Sequence, residues 1–288
     1  ITDSIQQVDA QSWDALIDDM PLLSHAFLSA LESSGSVGKG TGWQPYPMLV
    51  FDDGKLVGAM PLYIKSHSYG EYVFDWAWAE AYQRNGLNYY PKLVSAIPFT
   101  PITSQRLIAN STQTQTLMVE ALTETMHKHQ LSSAHVLFPD DVSAAALEQA
   151  GWLQRNGVQF RWQNDNFTDF EDFLRTLSHD KRKKIHQERK KVIASGVVCK
   201  RVKGADITPE QWRFFYECYE NTYIQHHSTP YLTPTFFQKI GRSMPQNILL
   251  VLAYLDDEPI AAALNIYHQT TLYGRYWGGL RYVPNLHF

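Results

Sequence analysis

The chain has few cysteines, no long apolar run and no strong excess of either charge. Cys199 and Cys218 are its only two cysteines, which excludes a disulfide framework and a cysteine metal quartet. They read as two buried thiols in a reducing cytoplasm. The longest apolar run, Ile248–Tyr254, is far too short to cross a bilayer, so no stable membrane insertion is expected. A net charge of −4 over 288 residues gives no overall pull toward nucleic acid or anionic lipid. Thr2–Ala10 has neither the basic start nor the apolar stretch of a secretory signal. The chain opens on Ile1 rather than Met, so residues are expected to precede it. His127 and His129 point apart on a helix and His226-His227 sit at a helix end. No metal site is expected from these spacings, and no bound cofactor is assigned.

What the chain does have is aromatics, gathered in Ser66–Arg106 among Glu71, Asp75, Glu80, Arg84 and Lys92. Side chains alternate along Tyr69–Trp78. An extended segment puts Tyr72, Phe74, Trp76 and Trp78 on one face and Glu71, Val73 and Asp75 on the other. A helix puts Glu71 and Asp75 at i, i+4. Either way two carboxylates lie side by side next to an aromatic surface, and the segment reads as the wall of an open binding cleft. The plainer reading pairs both acids with Arg84 and Lys92 and makes them a structural knot.

Helices are expected over Val8–Asp18 and Ser24–Ser33, then a hairpin, Pro47–Phe51 and Lys55–Lys65, on the turn Asp52-Asp53-Gly54. A third strand through the aromatic stretch breaks into helix or loop over Ala79–Gly86. Tyr89–Ala96 and Gln105–Ala109 read as extended, Thr112–His129 as a long helix, His135–Phe138 as a buried strand and Val142–Ala150 as a helix. One or two strands are expected within Trp152–Trp162. This is the element order of the GNAT-like N-acyltransferase fold, a mixed α/β sheet flanked by helices. Further on, helices are expected over Phe167–Leu177, Ser178–Ser195, Thr208–His226 and Thr233–Gly241. Strands are expected over Val197–Val202, Asn247–Leu255, Pro259–Tyr267 and Thr271–Gly278. The second half repeats the plan of the first. Asp53 aligns with Asp257, an offset of 257 − 53 = 204 that also carries Tyr72 to Tyr276. Two tandem domains follow, 1–165 and 166–288. The second stops after its third strand, so either the natural chain is expected to continue past Phe288 or a partner covers the open sheet.

The motifs HSYGEYVFDWAWAEAYQRNGLNYYPKL from His67, PFTP at Pro98–Pro101, GVQFRW at Gly157–Trp162 and the basic run of Phe170–Lys191 fit one family. YLTPTFF at Tyr231–Phe237 and LYGRYWG at Leu272–Gly278 fit it too. Together they resemble the FemAB-like family of predicted N-acyltransferases, bacterial proteins of peptidoglycan biosynthesis type with a double GNAT-like fold. The resemblance covers nearly the whole chain. It implies acyl or aminoacyl transfer to an amine, with a small-molecule or peptide acceptor of the cell-wall-precursor type. The donor it implies is acyl-CoA or aminoacyl-tRNA.

Such a transfer needs a proton acceptor, donors for an oxyanion and alignment of two substrates. Glu71 and Asp75 are the expected proton acceptors, and Tyr72 an oxyanion donor. Tyr69, Trp76, Arg84, Tyr89, Tyr90, Lys92, Thr100 and Arg106 are expected to line the substrate site, with Arg275, Tyr276 and Trp277 as the second half's counterpart. Thr100–Arg106 has no glycine to cradle a pyrophosphate, which disfavours acyl-CoA in the first half. Lys181, Arg182, Lys183, Arg189 and Lys190 form a basic helix that reads either as a solvated linker or as a polyanion site, for transfer RNA among others. A non-catalytic peptide- or glycopeptide-binding module and an RNA-associated protein are the rival readings. The sequence is silent on oligomeric state.

Overall fold

A computed structural model describes residues 1–18, 20–73 and 75–286. Helices α1 (Ala10–Asp14) and α2 (His25–Ser33) open the chain. Each starts where a polar side chain turns back on the backbone: Asp9 accepts from the Ser12 N–H and Ser24 from the Phe27 N–H. Such caps satisfy amides that have no partner within the helix. Strands β1 (Trp43–Pro45), β2 (Met48–Asp52), β3 (Lys55–Met60) and β4 (Leu62–Lys65) follow. Asp53 and Gly54, between β2 and β3, hold φ of 45° and 79°, the left-handed pair that closes a two-residue hairpin.

Lys55–Lys65 is not the single strand its apolar pattern suggested. Pro61 has no N–H for a ladder, and the hairpin divides there. β3 pairs with β2, whereas β4 pairs with β1 and with β5 (Lys92–Ser95). The expected third strand is also absent. The described residues from 68 to 75 form turns and bends, and α3 (Trp76–Arg84) follows without burying any residue. Phe74, placed on the aromatic face above, lies outside the described residues. Next come β6 (Ile108–Ala109), α4 (Thr112–Lys128), β7 (Ala134–Val136) and α5 (Asp141–Gln149). Ser111 and Asp140 cap the two helices. The strands form two sheets, β1-β4-β5-β7 and β2-β3-β6, with β5 and β7 parallel. Met48, Met60, Leu62, Leu93, Met118, Leu122 and Leu147 make one buried core from both sheets, α4 and α5.

Residues 152–162, expected to include strands, carry no regular structure. The chain continues through α6 (Phe170–Arg175), α7 (His179–Ala194), β8 (Val198–Lys203), α8 (Pro209–Gln225) and α9 (Pro234–Ser243). It ends with β9 (Ile248–Leu255), β10 (Glu258–His268) and β11 (Thr271–Gly279), which join β8 in a sheet ordered β11-β10-β9-β8. Thr208 and Gln211 form a reciprocal capping box at the start of α8.

The chain divides into two compact units, and the division interleaves the sequence instead of cutting it once near 165. The first holds Ile1–Gln154, Pro230–Ile248 and Ile266–Leu272; the second holds Arg155–Thr229, Leu249–Asn265 and Tyr273–Phe288. Helix α9 therefore belongs with the first unit, where Phe236 meets the Phe27 ring edge-on at 5.4 Å. The β9–β10 turn, Asp256-Asp257, has φ of 54° and 62°, the conformation seen at Asp53-Gly54. The strand ends set the offset between the two hairpins at 255 − 52 = 203, one less than the sequence alignment. Tyr72 and Tyr276 do not correspond, because Tyr72 lies in a bend and Tyr276 in a strand.

In the second unit β11 lies directly on α8. A Cβ added to Gly278 would stand 2.0 Å from the Cys218 carbonyl oxygen and 2.7 Å from Thr222 Oγ1. Thr222 Oγ1 donates to the Trp277 carbonyl at 3.0 Å, and Asn221 Nδ2 to that of Gly279 at 2.8 Å. Gly278→Ala should cost about 1–3 kcal/mol, the usual range for forced overpacking. Gly274→Ala, whose nearest neighbour would be 3.7 Å away, should cost under about 0.5 kcal/mol. Urea denaturation of the two variants tests the contrast.

Candidate functional site

Strands β4 and β5 pair antiparallel with Lys65 directly opposite Lys92. Both lysines are fully buried. Like charges facing each other weaken a sheet, and buried charges persist only when paired. The bends before α3 supply the counter-charge. Lys92 Nζ lies 2.9 Å from Glu71 Oε2 and 2.5 Å from Asp75 Oδ2, and it donates to Ser68 Oγ at 3.0 Å. Lys65 Nζ instead stands 3.9 Å from the Trp43 ring centroid and donates to the Tyr69 carbonyl at 3.3 Å. Trp43 Nε1 donates to the same carbonyl at 3.1 Å. Tyr89, just before β5, donates its hydroxyl to Asp75 Oδ2 at 2.7 Å, and the Tyr90 hydroxyl shares a 2.8 Å hydrogen bond with Ser68 Oγ. Glu71 Oε1 and Asp75 Oδ1 are buried without a hydrogen-bond partner among the described residues.

These surroundings separate the proton affinities of the groups. Burial pushes the Lys65 ammonium down to about 7, with Lys92 adding to the shift and Glu71 and Asp75 opposing it. Burial raises the Glu71 carboxyl, although Lys92 pulls the other way. Burial also acts to raise Asp75, but hydrogen bonds from Lys92, Tyr89 and Ser68 outweigh it and leave that carboxyl below its ordinary value. The Tyr89 phenol is raised by burial and by its bond to Asp75, so it stays protonated. The cluster thus holds an ionised Asp75, a Glu71 of higher proton affinity and a lysine that titrates near neutrality.

The structure brings together Glu71, Asp75, Tyr89, Tyr90 and Lys92 of the expected site. The expectation of an open cleft wall needs correction. The Glu71 and Asp75 side chains are 1% and 3% exposed, because Lys92 draws both inward. The aromatics near them in the chain, Tyr69, Tyr72, Trp76 and Trp78, are exposed. Tyr72 has φ 58°, and Trp76 meets Tyr69 edge-on at 5.4 Å. A surface groove on α4, lined by Val119, Thr123, Glu124, His127 and Ala150, contains none of the expected site residues.

Three expected substrate ligands lie elsewhere or are occupied. Arg84 is exposed at the end of α3, and the ion pairs of Glu71 and Asp75 are with Lys92 instead. Thr100 is buried and donates to the Pro98 carbonyl at 3.0 Å. Arg106 is fully buried, and its guanidinium donates to the carbonyls of Leu137, Ser104, Gln105 and Ile102 and to Ser104 Oγ. Nη1 is shared among three of these acceptors and Nε and Nη2 serve one each, so Arg106 is a buried clamp on its own loop and not an exposed anion ligand. Burial brings its pKa down to about 9. Arg275, Tyr276 and Trp277 belong to β11 in the second unit, where the Arg275 guanidinium lies 5.0 Å from the Tyr276 ring centroid and Tyr276 packs on Tyr219. Lys181, Lys183, Arg189 and Lys190 are exposed and Arg182 half-buried on α7, a helix with no buried residue.

Sequence reasoning missed Lys65, Ser68, Trp43 and His135. A lysine at the end of an apolar strand ordinarily snorkels to water, so Lys65 carried no signal. Its opposition to Lys92 exists only in the register. No group of three or more His, Cys, Asp or Glu among the described residues is placed to hold a metal. Among those residues, no helix is long and apolar enough to cross a membrane.

The two-unit α/β architecture is that of the GNAT-like acyltransferase fold. A crystal structure of FemX matches it with a TM-score of 0.51 and 11% identity, over 94% of this chain and 79% of that one. The C-terminal domain (DUF2156) of a putative lysylphosphatidylglycerol synthetase from Agrobacterium fabrum matches with a TM-score of 0.48 and 8% identity, over 98% and 71%. No curated protein matches the chain. The FemAB-like family, described as peptidoglycan biosynthesis/recognition, matches residues 4–288, and the chain belongs to it.

The lowered Lys65 pKa sets a sign for stability. Above about 7 the folded lysine is neutral, while the unfolded chain still binds the proton up to about 10.4. The unfolded state then holds more protons, so this group makes stability rise with pH over that interval. Lys65→Met removes the charge and keeps the bulk. Its urea midpoint should exceed that of the wild type at pH 6, and the gap should narrow by pH 9. A gap that stays constant would show that Lys65 does not titrate there.

Proposed function

We propose that this protein transfers an acyl or aminoacyl group onto the amine of a peptide acceptor of the peptidoglycan-precursor type. Family membership over residues 4–288 carries this reading. The buried cluster supplies chemistry for it. An attacking amine must lose a proton, and Asp75 is held ionised with Oδ1 uncommitted. Glu71, of higher proton affinity, is the second carrier. Tyr72, exposed and next to Glu71 in the chain, is the candidate donor to the developing oxyanion. Access for the amine runs past α3, which buries no residue and so can open at modest cost.

Of the two donors, aminoacyl-tRNA is favoured. Thr100 and Arg106 spend their polar groups inside the loop where a pyrophosphate would be held. Helix α7, by contrast, presents Lys181, Lys183, Arg189 and Lys190 to solvent. If these residues hold RNA, charge-neutralising substitutions should weaken tRNA binding at low salt. They should also flatten its salt dependence by about one unit of log–log slope per lost phosphate contact. An unchanged slope removes α7 as the anchor.

The transfer itself is tested by offering the protein aminoacyl-tRNA, acyl-CoA and a muropeptide precursor and weighing the acceptor by mass spectrometry. Added mass is expected with aminoacyl-tRNA. Asp75→Asn should lower kcat about 10²- to 10⁴-fold, the range for a lost general base, with native circular dichroism retained. Acceptor binding without added mass from any donor would make the protein a recognition module and overturn the transferase reading.

A further inference from the structure

The hydrogen bonds around Asp75 run beyond the ion pairs to a histidine that the transfer chemistry above does not use. Asp75 Oδ2 receives the Tyr89 hydroxyl at 2.7 Å, and the same hydroxyl oxygen lies 3.2 Å from His135 Nε2. Ser133 Oγ is 2.9 Å from that nitrogen. Tyr89 is 5% exposed, and His135, on β7, is half-buried. The parallel pairing of β5 with β7 sets His135 beside Val94, and its ring reaches Tyr89, three residues before β5.

A phenol has one proton to donate. At 2.7 Å from a carboxylate it makes the stronger, charge-assisted bond, so the Tyr89 proton points to Asp75. The phenol oxygen is then an acceptor toward His135, and the contact is a hydrogen bond when Nε2 carries the hydrogen. In that tautomer the chain has one direction: His135 Nε2–H to Tyr89, and Tyr89 O–H to Asp75. Bonds aligned in this way polarise one another. With Lys92 on the same Asp75 oxygen, they hold the carboxylate by Oδ2 and leave Oδ1 as its uncommitted face.

We infer that His135 is a positioning residue that acts on Asp75 through Tyr89, orienting the carboxylate that receives the acceptor amine's proton. The inference rests on the transferase reading for its purpose, while the hydrogen-bonded triad itself can be tested in the resting protein. Tyr89 is the relay, and Ser133 shares the same Nε2 hydrogen.

Long-range proton–nitrogen spectra of the full chain, labelled with nitrogen-15 at histidine, decide the matter. The His135 ring should read as the Nε2–H tautomer. Asp75→Asn, although it does not touch the ring, should shift the His135 nitrogens, and in a Tyr89→Phe background the same change should produce no further shift. An Nδ1–H tautomer in the wild type would overturn the proposal, as would an Asp75→Asn shift that survives in Tyr89→Phe. If Asp75→Asn does not fold, Tyr89→Phe alone decides: His135 nitrogens that do not move from their wild-type positions sink the triad. With the transfer assay in hand, His135→Gln should lower kcat about tenfold with KM held, as for a positioning group. A coupled triad in a protein without transfer removes the transferase reading and leaves the triad. Transfer with an uncoupled triad does the reverse.

Discussion

One buried ammonium organises the first unit. Lys92 stands, fully buried, at the start of a central strand, and it holds Glu71, Asp75 and Ser68 together. Removing one partner from a buried pair strands the other charge, at a cost on the order of 3–5 kcal/mol. The segment carrying the acids is held mainly by polar contacts, since α3 buries no residue while the Tyr69 carbonyl accepts from both Lys65 and Trp43. Two carboxylates and that carbonyl therefore anchor an aromatic-faced stretch. That combination of a firm attachment point and a lightly packed cover suits a site that has to admit a substrate.

The second constraint is the bend at Pro61. A straight Lys55–Lys65 strand would stay in one sheet with β2. The missing amide frees β4 to pair with β5 instead, and only that pairing sets Lys65 opposite Lys92. The two lysines then share two acids unequally. Lys92 takes both, while Lys65 is left with a carbonyl and the Trp43 face. A cation over an indole ring is attracted to it, but less strongly than to a carboxylate, and burial of Lys65 is correspondingly less compensated. The neutral amine near pH 7 follows from that inequality.

The second unit is organised differently. A buried cluster of Val197, Ala253, Ile260, Ala261 and Val283 lies within it, and β11 rests on α8 through the close approach of Gly278 and the Tyr276–Tyr219 ring contact. Its charge is concentrated on α7, where the exposed lysines and arginines stand against a chain whose overall balance is −4. The chemistry of the first unit is local and buried, whereas the electrostatics of the second lie on an exposed surface.

Much of the fold was legible from local rules. The caps at Asp9, Ser24, Ser111, Asp140 and Thr233, the two hairpin turns and the long helices all come from short-range residue preferences. The motifs brought the family with them, and the carboxylate pair stood out beside its aromatics. The plainer reading of that pair was half right: Lys92 ties both acids, and Arg84 ties neither. What the sequence by itself determined was therefore the order of elements and the kinds of side chain near the site. The tertiary structure alone decided which lysine faces which acid, that Arg106 is spent on carbonyls, and that Tyr89 links Asp75 to His135. Those choices depend on strand pairing and burial between residues far apart in the chain, and no local pattern encodes a partner that only the register brings near.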